Sequence, residues 1–319
     1  MSKNEAYIGV DLGGTAIKYG LCTSNGTILE EGKRPTHSDA QSSLILEDIA
    51  SAIEDLFTRA QKKSWLVKGI GIGTPGSVDV ERGFLQGSTP NFKAWKDVPI
   101  REVLEKRFQL PVFVDNDANA MAYGEYLYGA GKGSSHVIAI TLGTGIGGGV
   151  ILDGQLFRGH RYVGAEVGHM SICYDGMKCR CGGIGCWELY ASATAMVRNY
   201  NAQASSSPVQ GSREIFERYK QGDLVAAKVV EKEVQMVAAG VASLLHIFNP
   251  QVFIIGGGVS EAGEWFIQKI EHQLRQRTMP EALQNFQLTR ASLGNKAGWL
   301  GAAALVQAYI HNTKGGNRG

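Results

Sequence analysis

The sequence predicts an α/β protein of two domains, and two observations support this prediction. The chain has 319 residues, which is enough for two domains with substantial cores. A strand, a Gly-rich turn and a second strand occur near its start and again further on, where Ile138–Gly143 aligns with Ile8–Gly13. This similarity indicates a duplicated α/β unit, with one Gly-rich turn from each copy facing a shared cleft. We place the smaller domain at residues 1–118 with 299–319 and the larger domain at 119–298.

Predicted strands and helices alternate along most of the chain. Apolar residues at helical spacing, such as Leu46, Ile49 and Ile53, predict amphipathic helices, and short apolar runs bounded by Gly, Asn or Asp predict strands. The predicted helices are Leu44–Gln61, Ile100–Phe108, Ala118–Tyr128, Asp223–Phe248 and Ala297–Ile310. The predicted strands are Tyr7–Val10, Ala16–Cys22, Val67–Gly73, Val112–Val114, His136–Leu142 and Val252–Ile255. We expect the last helix to pack back on the first domain.

The composition is that of an ordinary soluble globular protein. Hydrophobic residues make up 44% and charged residues 19% of the chain. A formal net charge of +2 gives no broad attraction to nucleic acid or to a membrane surface. No apolar run reaches the roughly 18 residues of a transmembrane helix. The polar start, MSKNEA, leaves no room for a signal peptide before the first strand. We therefore expect a cytoplasmic protein that binds neither nucleic acid nor membrane.

Three cysteines and a histidine have the spacing of a metal site. Cys179 and Cys181 are separated by one residue, Cys186 follows, and His169 precedes them across a loop. Three thiolates and one imidazole are the ligand set of a closed structural zinc site. Three glycines allow the backbone to turn tightly between the cysteines, namely Gly182, Gly183 and Gly185. Buried free thiols or a disulfide are the alternatives, and a disulfide is disfavoured in a chain without a secretory signal.

Two glutamates flank this metal-binding segment. Glu166 lies three residues before His169, and Glu188 lies two residues after Cys186. If Glu166 and His169 share a helical turn, both lie on one face. A zinc-bound histidine still offers its second ring nitrogen to a partner. The three side chains could therefore surround a hydroxyl-rich ligand, and the alternative is that both glutamates are solvated charges or partners of the metal ligands.

The Gly-rich turn after the first strand has the features of a phosphate-binding turn. Phosphoryl transfer needs backbone N–H groups close to phosphate oxygens, a metal and a proton acceptor. The glycines permit close approach, the threonine offers a hydroxyl, the aspartate can hold Mg2+ directly or through water, and the lysine helps to neutralise phosphate. The residues assigned to the nucleotide in this turn are Asp11, Gly13, Gly14, Thr15 and Lys18.

The second half of the chain supplies two further glycine turns. The first of them matches the Asp11–Thr15 turn in the alignment of Ile138–Gly143 with Ile8–Gly13. The second follows a strand and would lie against the adenosine portion of the nucleotide. Their residues are Gly143, Thr144, Gly145, Gly256, Gly257 and Gly258. Each turn alone is more often an ordinary turn, and their combination favours nucleotide binding.

Two other nucleotide-binding folds do not fit. Gly71–Gly76 and Gly143–Gly148 match the dinucleotide fingerprint as text, but Pro75 interrupts the first and a strand follows the second. At the second match the pyrophosphate would therefore lack its helix N-terminus, and a Rossmann dehydrogenase is a poor interpretation. No P-loop sequence occurs either.

The candidate general base lies in an Asp-Asn-Asp segment. Asp117 follows a buried strand and precedes a helix, at the carboxyl edge of the sheet where ligands bind. A positioned carboxylate can accept the proton of an attacking alcohol. Helix N-capping is an equally good explanation of Asp117. Asp115 would support the cap, and Asn116 can both donate to and accept from a sugar hydroxyl.

These motifs together resemble the ROK family of repressors, open reading frames and sugar kinases. The resemblance covers nearly the whole chain and is most specific in Glu-x-Gly-His followed by His-x9-Cys-x-Cys-Gly-x2-Gly-Cys-x-Glu. It also includes DLGGT, the Gly-x-Pro-Gly turn at residues 73–76, Pro90-Asn91, DND and GTG. Trp187 and Met177 depart from the usual residue types, and neither is a ligand position.

The resemblance implies an actin-like (RNase H-like) ATPase fold with two domains around a central cleft and a zinc knuckle in the larger domain. It also implies a homodimer that binds a sugar and MgATP, with Asp117 as catalytic base and Zn2+ in a structural role. The implied sugar-binding residues are Gly76, Asn91, Asn116, Asp117, Glu166, His169 and Glu188.

The expected reaction is transfer of the ATP γ-phosphate to the 6-hydroxyl of a hexose. Residues 89–95, TPNFKAW, favour glucose, and N-acetylmannosamine is the alternative substrate. Repressors of the family carry a DNA-binding helix-turn-helix before the first hairpin, for which ten residues before Asp11 leave no room. A non-catalytic sugar sensor is the alternative from another functional class.

Overall fold

The computed structural model describes residues 4–87, 92–204 and 207–315. The chain forms two compact units. Unit 1 comprises residues 1–133, 156–164 and 293–319, and unit 2 comprises residues 134–155 and 165–292. The predicted domain division stays a prediction. Unit 1 differs from the predicted smaller domain by also containing residues 119–133, 156–164 and 293–298, and it therefore keeps the whole of one helix, Asp117–Tyr128.

Unit 1 is built on a five-stranded sheet. Its strands, with a two-stranded hairpin beside it, are β1 (Glu5–Leu12), β2 (Ala16–Cys22), β3 (Ile28–Pro35), β4 (Leu66–Thr74), β5 (Val78–Asp79), β6 (Phe84–Leu85) and β7 (Val112–Asn116). The strand order is β3-β2-β1-β4-β7, and β5 pairs with β6. The first three strands are antiparallel, whereas β1, β4 and β7 are parallel.

Unit 2 repeats this strand order. The strands of its sheet are β8 (Val137–Leu142), β9 (Ile146–Leu152), β10 (Gln155–Phe157), β11 (Val252–Gly256) and β12 (Gln287–Arg290), and the last two residues of β10 are counted in unit 1. The sheet order is β10-β9-β8-β11-β12, with β8 and β9 antiparallel and β8, β11 and β12 parallel. The weak sequence repeat therefore corresponds to a repeat of sheet topology.

Helices cover the sheets. They are α1 (Ser42–Lys62), α2 (Ile100–Phe108), α3 (Asp117–Tyr128), α4 (Ala193–Asn201), α5 (Ser212–Lys220), α6 (Leu224–Phe248), α7 (Glu264–Arg275) and α8 (Ala297–Gly315). The five predicted helices are confirmed within a few residues at their ends, and α4 and α5 were not predicted. Along α1, Ile45, Ile49, Ile53 and Leu56 recur at helical spacing and are fully buried.

Helix α8 packs directly on the first sheet. A Cβ at Gly9 would lie 1.8 Å from the carbonyl oxygen of Trp299, and one at Gly71 would lie 1.8 Å from that of Ala302. Glycine at both strand positions therefore lets the helix backbone approach the sheet. This packing confirms the expected return of the last helix to the first sheet. Within the described ranges, no helix combines the length and apolar character needed to cross a membrane.

Candidate active site and metal centre

Three neighbouring parallel strands of unit 1 end with polar residues on one sheet edge. Asp11 in β1 is in register with Gly73 in β4, and Gly73 is in register with Asp115 in β7. The strands run in the same direction, so their carboxyl ends meet at the same edge. Open α/β sheets bind ligands at this edge. The proposed phosphate turn and the Asp-Asn-Asp segment therefore belong to one edge of one sheet.

The turn Gly13–Thr15 connects β1 to β2. It closes through a hydrogen bond of 3.1 Å from the Gly13 N–H to the Ala16 carbonyl. Asp11 and Lys18 are paired across the hairpin, with 3.9 Å between the Asp11 Oδ2 and the Lys18 Nζ. Burial raises the pKa of Asp11, and the Lys18 charge opposes this effect. A cation at this carboxylate would stabilise its ionised form.

The Asp-Asn-Asp segment connects β7 to α3. Asn116 is the N-cap of α3, since its Oδ1 accepts hydrogen bonds from the N–H groups of Ala118 (2.8 Å) and Asn119 (3.2 Å). Asp117 is the first helical residue, and its Oδ1 accepts a hydrogen bond of 2.9 Å from the Ala118 N–H. The sequence left N-capping open for Asp117, and the structure gives that role to Asn116.

Asp115 is almost fully buried and accepts hydrogen bonds on both carboxylate oxygens. Its Oδ1 accepts from the Asn116 N–H at 2.8 Å and from the Asn119 side chain at 3.0 Å. Its Oδ2 accepts from the Arg158 guanidinium at 2.8 Å. These donors satisfy the buried charge. Sequence reasoning missed Arg158, because 43 residues separate it from Asp115 and no local pattern connects them.

The Gly-x-Pro-Gly turn contacts the same segment. The Asn116 side-chain amide donates a hydrogen bond of 3.2 Å to the Gly76 carbonyl. Gly76 has a φ of +101°, and a Cβ there would lie 2.3 Å from the Gly87 carbonyl oxygen. Glycine is therefore required for the backbone at this position. Asn91, the other predicted sugar-binding residue of this region, lies outside the described residues.

In unit 2, the turn Gly143–Gly145 connects β8 to β9. The Gly143 N–H donates to the Gly145 carbonyl at 3.0 Å. The first residue of α4, Ala193, donates its N–H to the Gly143 carbonyl at 2.8 Å, and the Thr194 hydroxyl donates to the Thr144 carbonyl at 2.7 Å. The start of α4 therefore fixes the carbonyl groups of this turn.

The third glycine turn follows β11. Gly256 ends this strand and is in register with Thr141 of β8, so the turns after β8 and β11 lie at the same edge of the second sheet. Gly257 has a φ of +83°, and a Cβ there would lie 2.4 Å from the Leu142 carbonyl oxygen. A Cβ at Gly258 would meet open space.

The four predicted metal ligands lie together. Each of His169, Cys179, Cys181 and Cys186 offers a ligand atom within 4.8 Å of the other three. The Cys181 and Cys186 Sγ atoms are 3.5 Å apart, and the Cys179 Sγ lies 3.8 Å from the His169 Nδ1. A tetrahedral zinc with Zn–S bonds of about 2.3 Å would separate two sulfur ligands by about 3.8 Å. These distances fit a four-coordinate zinc ion.

Two of the three thiols of the cluster have raised pKa values. Desolvation, with contributions from Cys181 and Cys179, raises the pKa of Cys186 to about 12. Desolvation also raises the pKa of Cys179, whereas the Gly183 N–H lowers that of Cys181. A bound metal reverses such upward shifts, because it coordinates the thiolate form.

The loop between the ligands depends on two of the three glycines. Gly182 and Gly185 have φ angles of +94° and +74°. A Cβ at Gly185 would lie 1.7 Å from the Cys173 carbonyl oxygen. The Cys179 N–H donates to the Gly183 carbonyl at 2.8 Å and closes the tight turn that separates the ligands.

Glu188 lies against the Cys3His cluster and the Gly143–Gly145 turn. Its Oε1 is 3.6 Å from the His169 Nδ1 and 3.6 Å from the Cys179 Sγ, and a Cβ at Gly145 would lie 2.5 Å from its Oε2. Glu166 precedes a 3₁₀ turn that ends at His169. Desolvation raises the pKa of Glu166; His169 opposes this shift and Glu188 adds to it. The structure therefore brings both glutamates near His169.

The fold and the site define a class of protein, an α/β protein of two topologically repeated units with Gly-rich turns at the sheet edges and a Cys3His cluster. The ROK family profile matches residues 7–309. A glucokinase from Thermotoga maritima is 38% identical over 315 residues, which are 95% of this chain and 98% of the relative. This chain belongs to the ROK family.

Solved structures of the family have the same fold. A ROK family glucokinase from Streptomyces griseus in complex with glucose and AMPPNP is 38% identical, with a TM-score of 0.81 over 95% of this chain and 99% of that one. A ROK hexokinase from Thermus thermophilus is 36% identical, with a TM-score of 0.84 over 96% of this chain and 99% of that one.

Proposed function

We propose that this protein is an ATP-dependent glucokinase that phosphorylates the 6-hydroxyl of glucose. The relatives of similar length at 36–38% identity include two glucokinases and a hexokinase, and one of the glucokinase structures is a complex with glucose and AMPPNP. The observation that carries the proposal is the position of Asp117 immediately after β7, on the sheet edge that also presents Asp11. The proposal includes an actin-like fold, a cytoplasmic location and a homodimer, as the family resemblance implies.

Asp117 is the proposed general base. It accepts the proton of the 6-hydroxyl as that oxygen attacks the γ-phosphorus of ATP in line, and ADP leaves. Asn116 supports this role by capping α3, which fixes the backbone that carries Asp117. The residues proposed to bind the sugar are Gly76, Asn91, Asn116, Asp117, Glu166, His169 and Glu188. The Oδ1 of Asn116 serves the helix cap, and one amide N–H donates to the Gly76 carbonyl, so the second amide N–H is the group proposed to meet a sugar hydroxyl.

The nucleotide is proposed to bind the three glycine turns through backbone N–H groups. Asp11 would hold the Mg2+ that accompanies ATP, and Lys18 adds a positive charge near this carboxylate. When bound there, Mg2+ would supply positive charge that neutralises the phosphates. The turn residues in this role are Gly13, Gly14, Thr15, Gly143, Thr144, Gly145, Gly256, Gly257 and Gly258.

The Cys3His cluster is proposed to hold a structural zinc ion. Four protein ligands leave no coordination position for a substrate, so the ion would stabilise the loop rather than act on phosphate. The position of Glu188 beside His169 and Cys179 supports a role of the metal in orienting sugar-binding groups.

The test is ADP release with MgATP and glucose, N-acetylmannosamine, mannose, fructose or allose. We expect turnover with glucose and a loss of about 10²–10⁴-fold in kcat for Asp117→Asn, because a general base contributes this much. Asp153→Asn makes the same chemical change at a side chain that is 90% exposed and should keep full activity. Turnover only with N-acetylmannosamine would change the substrate, and no turnover with any sugar would favour a non-catalytic sensor.

A further inference from the structure

Thr36 lies outside the Gly13–Thr15 turn, the first of the proposed phosphate-binding turns, and forms hydrogen bonds to it. Thr36 directly follows β3, and its hydroxyl donates a hydrogen bond of 2.8 Å to the Gly13 carbonyl. Its own N–H donates to the Thr15 carbonyl at 3.3 Å. One residue therefore binds the carbonyl groups at both ends of the Gly13–Thr15 turn.

These two bonds fix the direction of a backbone N–H in the turn. The Gly13 carbonyl and the Gly14 N–H belong to one planar trans peptide and point in opposite directions. When Thr36 binds the carbonyl, the Gly14 N–H points away from Thr36. Glycine has the widest backbone freedom of any residue, so the peptide between two glycines depends on an external partner to hold it.

A second contact anchors Thr36 to the core of unit 1. The next residue, His37, donates its backbone N–H to the Asp48 Oδ2 at 3.3 Å, and its Nδ1 lies 2.8 Å from the same oxygen. Asp48 lies on α1, and only 8% of its side chain is exposed. The Thr36 backbone is therefore held by a helix that is itself packed into the core.

We propose that Thr36 is a positioning residue for the phosphate groups of the nucleotide. It fixes the Gly13–Gly14 peptide so that the Gly14 N–H faces the phosphate, and Asp48 keeps Thr36 in place through His37. This inference rests on the proposed function, since it assigns the first turn to the nucleotide. Thr36 itself does not contact phosphate in this assignment and acts through the turn.

The test compares Thr36→Val, which removes the hydroxyl at nearly constant shape, with Thr36→Ser, which keeps it. Thr58→Val is the control, because Thr58 on α1 also donates its hydroxyl to a backbone carbonyl, that of Glu54. For each protein we would measure AMPPNP affinity and glucose affinity by calorimetry, the KM for MgATP and for glucose, and the thermal midpoint.

We expect Thr36→Val to weaken AMPPNP binding and raise the KM for MgATP by about 2–10-fold, the effect of one hydrogen bond. The glucose affinity of Thr36→Val should stay within about twofold of the wild-type value. The affinities and KM values of Thr36→Ser and Thr58→Val should also stay within about twofold of wild type. Unchanged AMPPNP affinity in Thr36→Val would overturn the inference, as would equal weakening of both ligands with a lower thermal midpoint.

The AMPPNP measurement also separates this inference from the proposed function. If the wild type binds AMPPNP but phosphorylates no sugar, the kinase assignment fails while the role of Thr36 is still tested by binding. If the wild type does not bind AMPPNP, both are overturned.

Discussion

Arg158 places two guanidinium nitrogens, Nε and Nη2, each 2.8 Å from one carboxylate oxygen of Asp115. Asp115 is 1% exposed, and its other oxygen accepts two further N–H groups. The buried carboxylate thus has four donors, and Arg158 supplies its counter-charge. Because Asp115 lies two residues before Asp117, this pair also holds the start of the proposed catalytic segment.

We expect Arg158→Met to lower the free energy of unfolding by about 3–5 kcal/mol, because it leaves a buried charge without its partner. The double variant Arg158→Met/Asp115→Asn removes that charge and should recover part of the loss. Arg275→Met is the control, since its pair with Glu271 is a surface pair on one helix and contributes about 0.3–0.5 kcal/mol. Urea denaturation measures the free energy of unfolding of the wild type and the three variants. Equal losses for Arg158→Met and Arg275→Met would show that the Arg158–Asp115 pair stabilises the protein no more than a surface pair does.

Alanine variants at two glycine positions should have different effects, one on stability and the other on nucleotide binding. A Cβ at Gly143 would meet nothing within 4 Å, whereas one at Gly257 would collide with the Leu142 carbonyl at a φ of +83°. We expect Gly257→Ala to lower stability by about 1–3 kcal/mol, because its backbone region is almost restricted to glycine. Gly143→Ala should fold with wild-type stability and raise the KM for MgATP, since the open space is proposed to admit phosphate.

Thermal unfolding and the KM for MgATP distinguish these two variants. Gly211→Ala is the control for nucleotide binding, because a Cβ there also meets open space and Gly211, the N-cap of α5, has no proposed role toward the nucleotide. It should leave the KM for MgATP unchanged. If Gly143→Ala bound MgATP as well as wild type does, the turn would be an ordinary hairpin turn.

The metal site leads to a prediction about cysteine variants. We expect the purified protein to contain about one zinc per chain, since the cluster offers one set of four ligands. Cys179→Ser should lose the zinc and lower the thermal midpoint. Cys173 lies in the same loop but outside the cluster, so Cys173→Ser should keep the zinc and the wild-type thermal midpoint.

Elemental analysis and a thermal melt with and without a chelator check this prediction. The chelator should lower the midpoint of wild type and of Cys173→Ser, and it should have little effect on Cys179→Ser. A wild-type protein that contains no zinc and melts identically with chelator would show that the four residues form a metal-free thiol cluster.

Local sequence patterns predicted much of the fold and most of the candidate site. The hairpin around Gly13–Thr15, the α1 pattern and the carboxyl-edge position of Asp117 each follow from turn chemistry, periodicity or strand ends. The spacing of His169 and the three cysteines predicted that the four side chains lie together. This prediction was possible because a short loop with two positive-φ glycines has few ways to fold.

The remaining features depend on contacts between distant segments. Either Asn116 or Asp117 could cap α3 by residue type, and only the position of the helix start decides between them. Arg158 reaches Asp115 across 43 residues, and Thr36 reaches Gly13 across 23. Such partners leave no periodic or motif signal in the sequence.

A buried carboxyl group in the core of unit 2 should make stability depend on pH. Glu233 on α6 is 2% exposed, and its Oε1 has no hydrogen-bond partner among the residues that the structure describes. Burial raises the pKa of Glu233 well above its ordinary value of 4.5. Between these two pKa values the folded protein keeps a proton that the unfolded chain releases, so stability falls as pH rises.

We expect Glu233→Gln, which cannot ionise, to gain stability relative to wild type as pH rises from 5 to 8. The difference should grow by up to about 1.4 kcal/mol per pH unit until the raised pKa is passed. Glu231→Gln is the control on the same helix, because its side chain is 44% exposed and forms a surface pair with Lys269. Urea denaturation at each pH measures the free energy of unfolding of the three proteins. If this free energy changed with pH equally in Glu233→Gln and in wild type, the Glu233 carboxyl group would have the same pKa in the folded and the unfolded protein.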